Sequence, residues 1–448
     1  MTRTHAPSRL SESSEEVLLA TVGANQTVPI VTGGAIRYVN LDIAASSPSL
    51  ETVWTTVQEL MPWYSSVHRG AGFPSRVMTD VLESARHGVI TFLNAPADSS
   101  VVFTRNTTDA INLLSLALPE DTFVISYASE HHANLLPWRD HRGEVIPIMS
   151  SPADVLEATE RALKNAPPGP TLLAVTGASN VTGEVWPVAE LVQLAHSRGA
   201  RVLVDGAQLV PHRAVDLAAL GADFLAFSGH KIYAPFGAGA LVGRADWLDA
   251  APPYLQGGGA VNRVTMDDVT WLSGPARHEA GTPNLIGIAA LVASCNTLGD
   301  VGMERVSSHE AALLRRLLEG LGDIPSITVY SAWPAENDRV GVVSFNIDEF
   351  AHSQVAAILS AEYAIGVRDG SFCAHPFVDR LTARAERASG AVRASIGVGT
   401  DGVDIERFLD ALSQIVSEGP RWAYEVVGGR YVPSPDPRPR PRFPNVNF

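Results

Sequence analysis

The stretch VLVDGAQLVPHRAVDLAALGADFLAFSGHKIYAPFGAGALVG, residues 202–243, holds three short apolar runs, two of them with polar residues at their carboxyl ends. VLVD closes on Asp205, FLAFS closes on Ser228 just before His230 and Lys231, and GALVG is apolar again. Runs this short, bounded by Gly and Pro, predict buried strands rather than helices. In an open α/β sheet the ligand sits beyond the carboxyl ends of the strands, so Asp205, Ser228, His230 and Lys231 are expected at one crevice. A buried carboxylate is costly without a partner, and Asp205 therefore needs a cation or a hydrogen-bond donor nearby.

The same rhythm extends outward. VVFT (101–104), TFVIS (122–126) and TLLAVT (171–176) alternate with amphipathic stretches such as ATERALKNA and VAELVQLAHSRGA. This alternation predicts an α/β large domain over residues 51–300, built on a mainly parallel central sheet. Beyond residue 300 a helical run (HEAALLRRLLEGLG), a strand (VGVVSFNID), another strand (AVRASIG) and a last helix (DIERFLDALSQIV) read as a smaller α+β domain, residues 301–425. Residues 1–50 are expected to join that smaller unit. The segment 426–448 is proline-rich, with Arg438, Arg440 and Arg442 separated by prolines, and reads as a flexible or polyproline-like tail, with a docking arm as the alternative.

Composition bounds the function. The 448 residues are 46% hydrophobic and 18% charged, which fits an ordinary globular protein. A formal net charge of -15 argues against a nucleic-acid partner. Cys295 and Cys373 are the only cysteines, too few for a disulfide framework or a cysteine-rich zinc site, so no metal is expected. The N-terminus lacks the pattern of a signal peptide and no apolar run is long enough to span a bilayer, which points to a cytoplasmic protein without a membrane partner.

A lysine beside a buried aspartate suits one chemistry in particular. The aspartate can hold a protonated pyridine nitrogen, which makes the ring an electron sink, and the lysine can form a Schiff base and shuttle a proton. The segment resembles the class V aminotransferase family of pyridoxal 5′-phosphate (PLP) enzymes, especially the group containing type II cysteine desulfurases and selenocysteine lyases. The resemblance runs from Tyr38 to Ala411, through YVNLDIAAS (38–46), SSVHRGAG (65–72), TRNTTDAINL (104–113), SEHHANLLPWR (129–139), TGASNVTGEVWPV (176–188), VDGAQ, FSGHK, RHEAGTPN (277–284), VRDGSFCAHP (367–376) and VRASIGVGT (392–400). It implies PLP fold type I, the aspartate-aminotransferase-like fold, in a homodimer with shared active sites.

The resemblance also implies roles for residues. Lys231 carries the cofactor and Asp205 meets its ring nitrogen. His131 stacks on the ring, and Asn180 and Gln208 bond its hydroxyl group. Thr107, Thr108, Ser228 and His230 hold the phosphate, in keeping with the affinity of a helix N-terminus for anions, although the threonines alone would read as N-caps. Thr282 reaches the phosphate of the neighbouring subunit. Arg393 takes the α-carboxylate of an amino-acid substrate, a task that suits a planar guanidinium. Ala44 and His68, in the first two motifs, and Arg368 complete the substrate side.

Arg368 precedes Cys373 by five positions, as in the family's loop RTGHHC, so Cys373 is the candidate nucleophile that takes sulfur (or selenium) from a cysteine-like amino acid as a persulfide. A sulfur-acceptor protein then becomes a possible partner. This loop departs from the pattern: Asp369 replaces threonine, and Ser371 and Phe372 replace histidines. An acidic Asp369 near the thiol is expected to raise its pKa. The alternative is another class V reaction, a C–S β-lyase, aminotransferase or epimerase of a specialised pathway, in which Cys373 is a bystander. His375 stands close enough in sequence to serve a proton transfer, with a structural role as the plainer reading.

Overall fold

The computed structural model describes residues 16–333, 338–383 and 389–445. A seven-stranded sheet forms its centre, in the spatial order Ser100–Thr104, Gly239–Gly243, Phe224–Ser228, Arg201–Asp205, Thr171–Thr176, Phe123–Tyr127, Arg142–Ile146. Gly239–Gly243 runs antiparallel to both its neighbours, and the other pairs are parallel. The sheet is thus mainly parallel, with one reversed strand.

Alternation along these strands explains why both faces are covered. Leu173, Val175, Val202, Val204, Leu225 and Phe227 enter one apolar cluster, and Leu172, Ala174, Leu203, Phe224 and Ala226 enter another. Side chains two apart lie on one face, so an unbroken apolar run serves two cores at once. The helices Phe73–Phe92 and Leu285–Val301 pack into the first core, and the helix Thr107–Ala117 into the second.

A second sheet, entirely antiparallel, has the order Ile327–Val329, Val342–Ile347, Ala391–Ser395, Arg368–Gly370. Its own core gathers Leu313, Leu317, Phe345, Val392, Ile405 and Phe408, with Val39 and Leu41 from the N-terminal segment. Val39–Asn40 also pairs in parallel with Ile365–Gly366. Register here has a chemical consequence: Arg368 lies opposite Arg393, and Asp369 opposite Val392. The two arginines therefore share one face of this sheet, and Asp369 points to the other.

Part of the proline-rich end is regular structure rather than a loose tail. Tyr424–Val427 and Arg430–Pro433 form an antiparallel hairpin turned at Gly428 and Gly429, both with positive φ. Tyr424 packs against the core of the second sheet. Partial burial of this ring and the bond from its hydroxyl to Glu362 at 2.8 Å tie down a segment whose composition alone reads as solvated. Among the described residues no single helix is long and apolar enough to cross a membrane.

Candidate active site

The carboxyl ends of the parallel strands open into a cleft of about 550 Å³. It is lined by Ala44, Thr107, Thr108, His131, Asn180, Asp205, Gln208, Ser228, His230, Lys231, Arg368, Cys373 and Arg393. These are the predicted site residues, apart from His68 and Thr282. Both of those are exposed and stand outside the lining; His68 adopts a left-handed backbone and its N–H donates to Thr79 Oγ1 at 2.8 Å.

The anion cradle is built from two strand ends and a helix start. Asn106, not a threonine, is the N-cap: its side chain accepts from the N–H of Asp109 at 3.0 Å. Thr107 and Thr108 are therefore inside the first turn. Thr107 N donates to Ser228 Oγ at 2.7 Å, and the two hydroxyls are also 2.7 Å apart. Gly239 permits this approach, because a Cβ there would lie 2.7 Å from Asn106 Cα and Phe227 O. The start of this helix, next to the hydroxyls of Thr107 and Ser228, favours a phosphate.

Charge in the cleft is governed by burial. Lys231 is lowered to about 8 by desolvation, with Asp205 and Cys373 pulling it up and Arg393 pushing it further down. Burial raises Asp205, against the Ala207 N–H, which donates to it at 3.0 Å, and against Lys231. His131 is lowered to about 3 by burial and then by Lys231, so its imidazole is neutral. Its Nδ1 accepts from Ala133 N at 3.0 Å, which puts the ring proton on Nε2. His230 is likewise lowered to about 4 by burial and Lys231.

The second sheet supplies the opposite side of the cleft. Arg393, buried on the strand Ala391–Ser395, is lowered to about 10 by burial, with Asp42 opposing, and remains a cation at neutral pH. Its Nη1 donates to Asn180 O at 2.8 Å and its Nη2 to Asp42 Oδ1 at 3.4 Å. Arg368 Nη1 lies 3.7 Å from the other oxygen of Asp42. Asn180 Nδ2 donates to Phe372 O at 2.8 Å, which ties the turn after the strand Thr171–Thr176 to the cysteine loop. Gly183, with φ +84, makes that turn possible, because a Cβ would sit 2.5 Å from Val342 O.

Cys373 is exposed, and it and Phe372 both have left-handed backbones. Its carbonyl accepts from His132 N at 2.8 Å. The rings of His132 and His375 stack with centroids 4.8 Å apart. The expectation that Asp369 acts on the thiol is corrected by the register. Asp369 points to the opposite face, where His352 and Arg430 engage its carboxylate, and it is absent from the cleft lining. Cys295 is buried in the helix Leu285–Val301.

Two carboxylates escaped the sequence reading. Asp42, inside YVNLDIAAS, links Arg393 to Arg368; burial raises it, more than the two arginines lower it. Glu130, inside SEHHANLLPWR, is wholly buried; it accepts from Asn134 Nδ2 at 2.8 Å and Thr176 N at 2.9 Å, and burial holds it well above the usual range. Both lie within motifs, but nothing in their spacing reveals the partner across the fold.

A lysine and a carboxylate beyond neighbouring strands, an anion cradle at a helix start and a buried arginine define a PLP enzyme of fold type I. The Aminotransferase class-V family model matches residues 39–408. A cysteine desulfurase from Dickeya dadantii is 36% identical over 406 residues, covering 86% of this chain and 93% of that protein. Two solved cysteine desulfurases, each 32% identical, share the fold: one from Thermococcus onnurineus, with TM-score 0.77 over 85% of this chain and 94% of that one, and CsdA from Escherichia coli, with 0.74 over 84% and 94%. The chain belongs to the class V aminotransferase family. Its cofactor is PLP, and the residues fit it: Gln208 Oε1 is buried in this cleft without a hydrogen-bond partner, as an acceptor for a ligand hydroxyl is, beside the Thr107–Ser228 anion cradle, and Arg393 Nε is an unpartnered donor in the same cleft.

An amine adds to the cofactor's aldehyde only when neutral, so the lowered pKa of Lys231 sets the pH of loading. The neutral fraction rises through pH 8 rather than through the ordinary lysine value of 10.5. Covalent capture of PLP by the cofactor-free protein, followed by visible absorption, should be half-maximal near that pH. Asp205→Asn removes a charge that raises the lysine and should move the midpoint downward. A midpoint near 10 in the unaltered protein contradicts the assignment, as does borohydride trapping at a different lysine.

Proposed function

We propose that this enzyme is a cysteine desulfurase that removes sulfur (or selenium) from a cysteine-like amino acid and receives it on Cys373. The observation that carries the reading is the presence of Lys231, Arg393 and an exposed Cys373 around one cleft. PLP, when bound, supplies an electron sink for charge at the substrate Cα. Arg393 orients the substrate through its carboxylate, in competition with Asp42. Lys231 takes the α-proton and returns one. The Cys373 thiolate attacks the substrate sulfur: an S–S bond forms, the Cβ–S bond breaks, and its electron pair stays with the carbon, which gains a proton and leaves as alanine. His131, neutral and fixed by Ala133, is the residue that would stack on the cofactor ring.

The same reading makes the enzyme a homodimer acting in the cytoplasm. Trp54, Trp63, Phe73 and Met266 are exposed apolar side chains, and Thr282 is exposed away from its own cleft, as a residue completing the partner's phosphate site is. Exposure of Cys373 suits delivery of sulfur to an acceptor protein.

Replacement of Arg393 by Ala should cost about 2–5 kcal/mol of substrate binding, with partial rescue by Lys, which lacks the planar fork. Cofactor absorption should survive, and unchanged affinity for cysteine means the carboxylate is held elsewhere. Hybrid dimers of Lys231→Ala and Thr282→Ala chains contain one native site and should recover activity above either parent; a fully active, PLP-saturated monomer in sedimentation excludes shared sites. Cys373→Ser decides the chemistry. It should abolish the persulfide and alanine release from L-cysteine, and the cofactor spectrum should persist. Full alanine production by that variant rejects the nucleophile, and pyruvate in place of alanine assigns β-elimination.

A further inference from the structure

The C-terminal hairpin lies beyond the family match, which ends at residue 408, yet it reaches the strand that leads into the cysteine loop. The helix Gly402–Glu418 ends at Gly419, and the chain turns back along the helix His352–Tyr363. Glu362, buried on that helix, accepts from the backbone of Arg421 at 3.0 Å and of Trp422 at 3.2 Å, and from the hydroxyl of Tyr424 at 2.8 Å. Trp422 Nε1 donates to Pro435 O at 2.8 Å and closes the base of the hairpin. The turn is thereby anchored, and Arg430 follows it directly.

Arg430 Nη2 stands 3.6 Å from Asp369 Oδ1, and His352 Nδ1 lies 3.3 Å from Asp369 Oδ2. Asp369 is the acidic residue that departs from the family loop, and it meets an arginine from a segment that the family model does not cover. The strand Arg368–Gly370 carries Arg368 on its cleft face and runs, through Gly370 at φ +105, into left-handed Phe372 and Cys373. Such backbone persists only where its flanks over-determine it. On the downstream side Asn180 holds Phe372 and His132 holds Cys373. On the upstream side Asp369 has His352 and the hairpin.

We propose that Arg430 is a positioning residue: the C-terminal hairpin latches Asp369 and so sets the conformation of the Cys373 loop. The catalytic half of this inference rests on Cys373 being the sulfur-receiving thiol. The mechanical half does not, because Cys295 is buried and alkylation of the native enzyme reports Cys373 alone.

The test uses the full-length holoenzyme with Arg430→Ala, Arg430→Lys, Asp369→Asn and the double variant Arg430→Ala/Asp369→Asn. An exposed ion pair of this kind corresponds to about a two- to fivefold change in an equilibrium. Arg430→Ala should therefore speed iodoacetamide modification of Cys373 about two- to fivefold and lower kcat for alanine release by a similar factor. The melting temperature and cofactor absorption should stay as they are, and Arg430→Lys should behave like the parent. In the Asp369→Asn background the Arg430→Ala effect should vanish, because coupled partners are non-additive. Raised salt should mimic the variant in the parent protein and do little to Arg430→Ala. Unchanged modification rates in Arg430→Ala, or additive effects in the double variant, overturn the latch. Should Cys373→Ser still release alanine, the sulfur-transfer reading fails, and the modification rates still decide the latch.

Discussion

Asp205 and Lys231 are carried by neighbouring parallel strands into an interior where neither charge is stable alone. Desolvation raises the carboxylate and lowers the amine, and each opposes the other's shift. Asp205 is buried and takes the Ala207 N–H, and Lys231, half-buried at the cleft, lowers it further by charge. The parallel sheet provides the geometry, since Asp205 ends its strand opposite Ala226 and the neighbouring strand runs on to Ser228 just before Lys231, with an apolar core on each face of the sheet. The reactivity of the lysine follows from the same burial, which leaves it neutral closer to physiological pH than a surface lysine.

The remainder of the cleft extends that constraint to a second sheet. Arg393 brings another cation beside Lys231, and Asp42 offsets it together with Arg368. His131 and His230 face this positive field and stay neutral. The site is therefore poised for an anionic substrate: a carboxylate arriving at Arg393 replaces a contact of 3.4 Å to Asp42 with a better-matched partner. Arg393 and the cysteine loop are connected physically through Asn180, whose carbonyl accepts from Arg393 and whose amide donates to Phe372 O.

Cys373, the proposed nucleophile, borders this field and acts on Lys231 and Arg393 from its edge. Cys373 is at the surface, on strained backbone held by His132, with the His132–His375 ring stack beside it. Missing loop histidines at 371 and 372 are thus accompanied by two imidazoles from nearby positions. Asp369, read in sequence as an electrostatic burden on the thiol, belongs instead to a contact network with His352 and Arg430 on the far face of the strand.

The order of apolar runs and the residues that close them determined the fold class and most of the cleft before any coordinates. Strand burial on two faces requires continuous apolar runs, and a ligand at strand ends requires polar residues immediately after them, so both are written locally in VLVD and FLAFSGHK. Motif order likewise located Arg393 and Cys373. Tertiary structure alone decided that Asn106 caps the helix in place of a threonine, that Glu130 anchors Thr176, that Asp42 joins two arginines, and that the proline-rich end folds into a hairpin over Glu362. Asp42 and Arg393 are 351 residues apart, and the face on which Asp369 lies depends on the register of one strand against another. A side chain's charge is visible in sequence, but the partner that settles its effect is chosen by strand pairing and packing between distant segments.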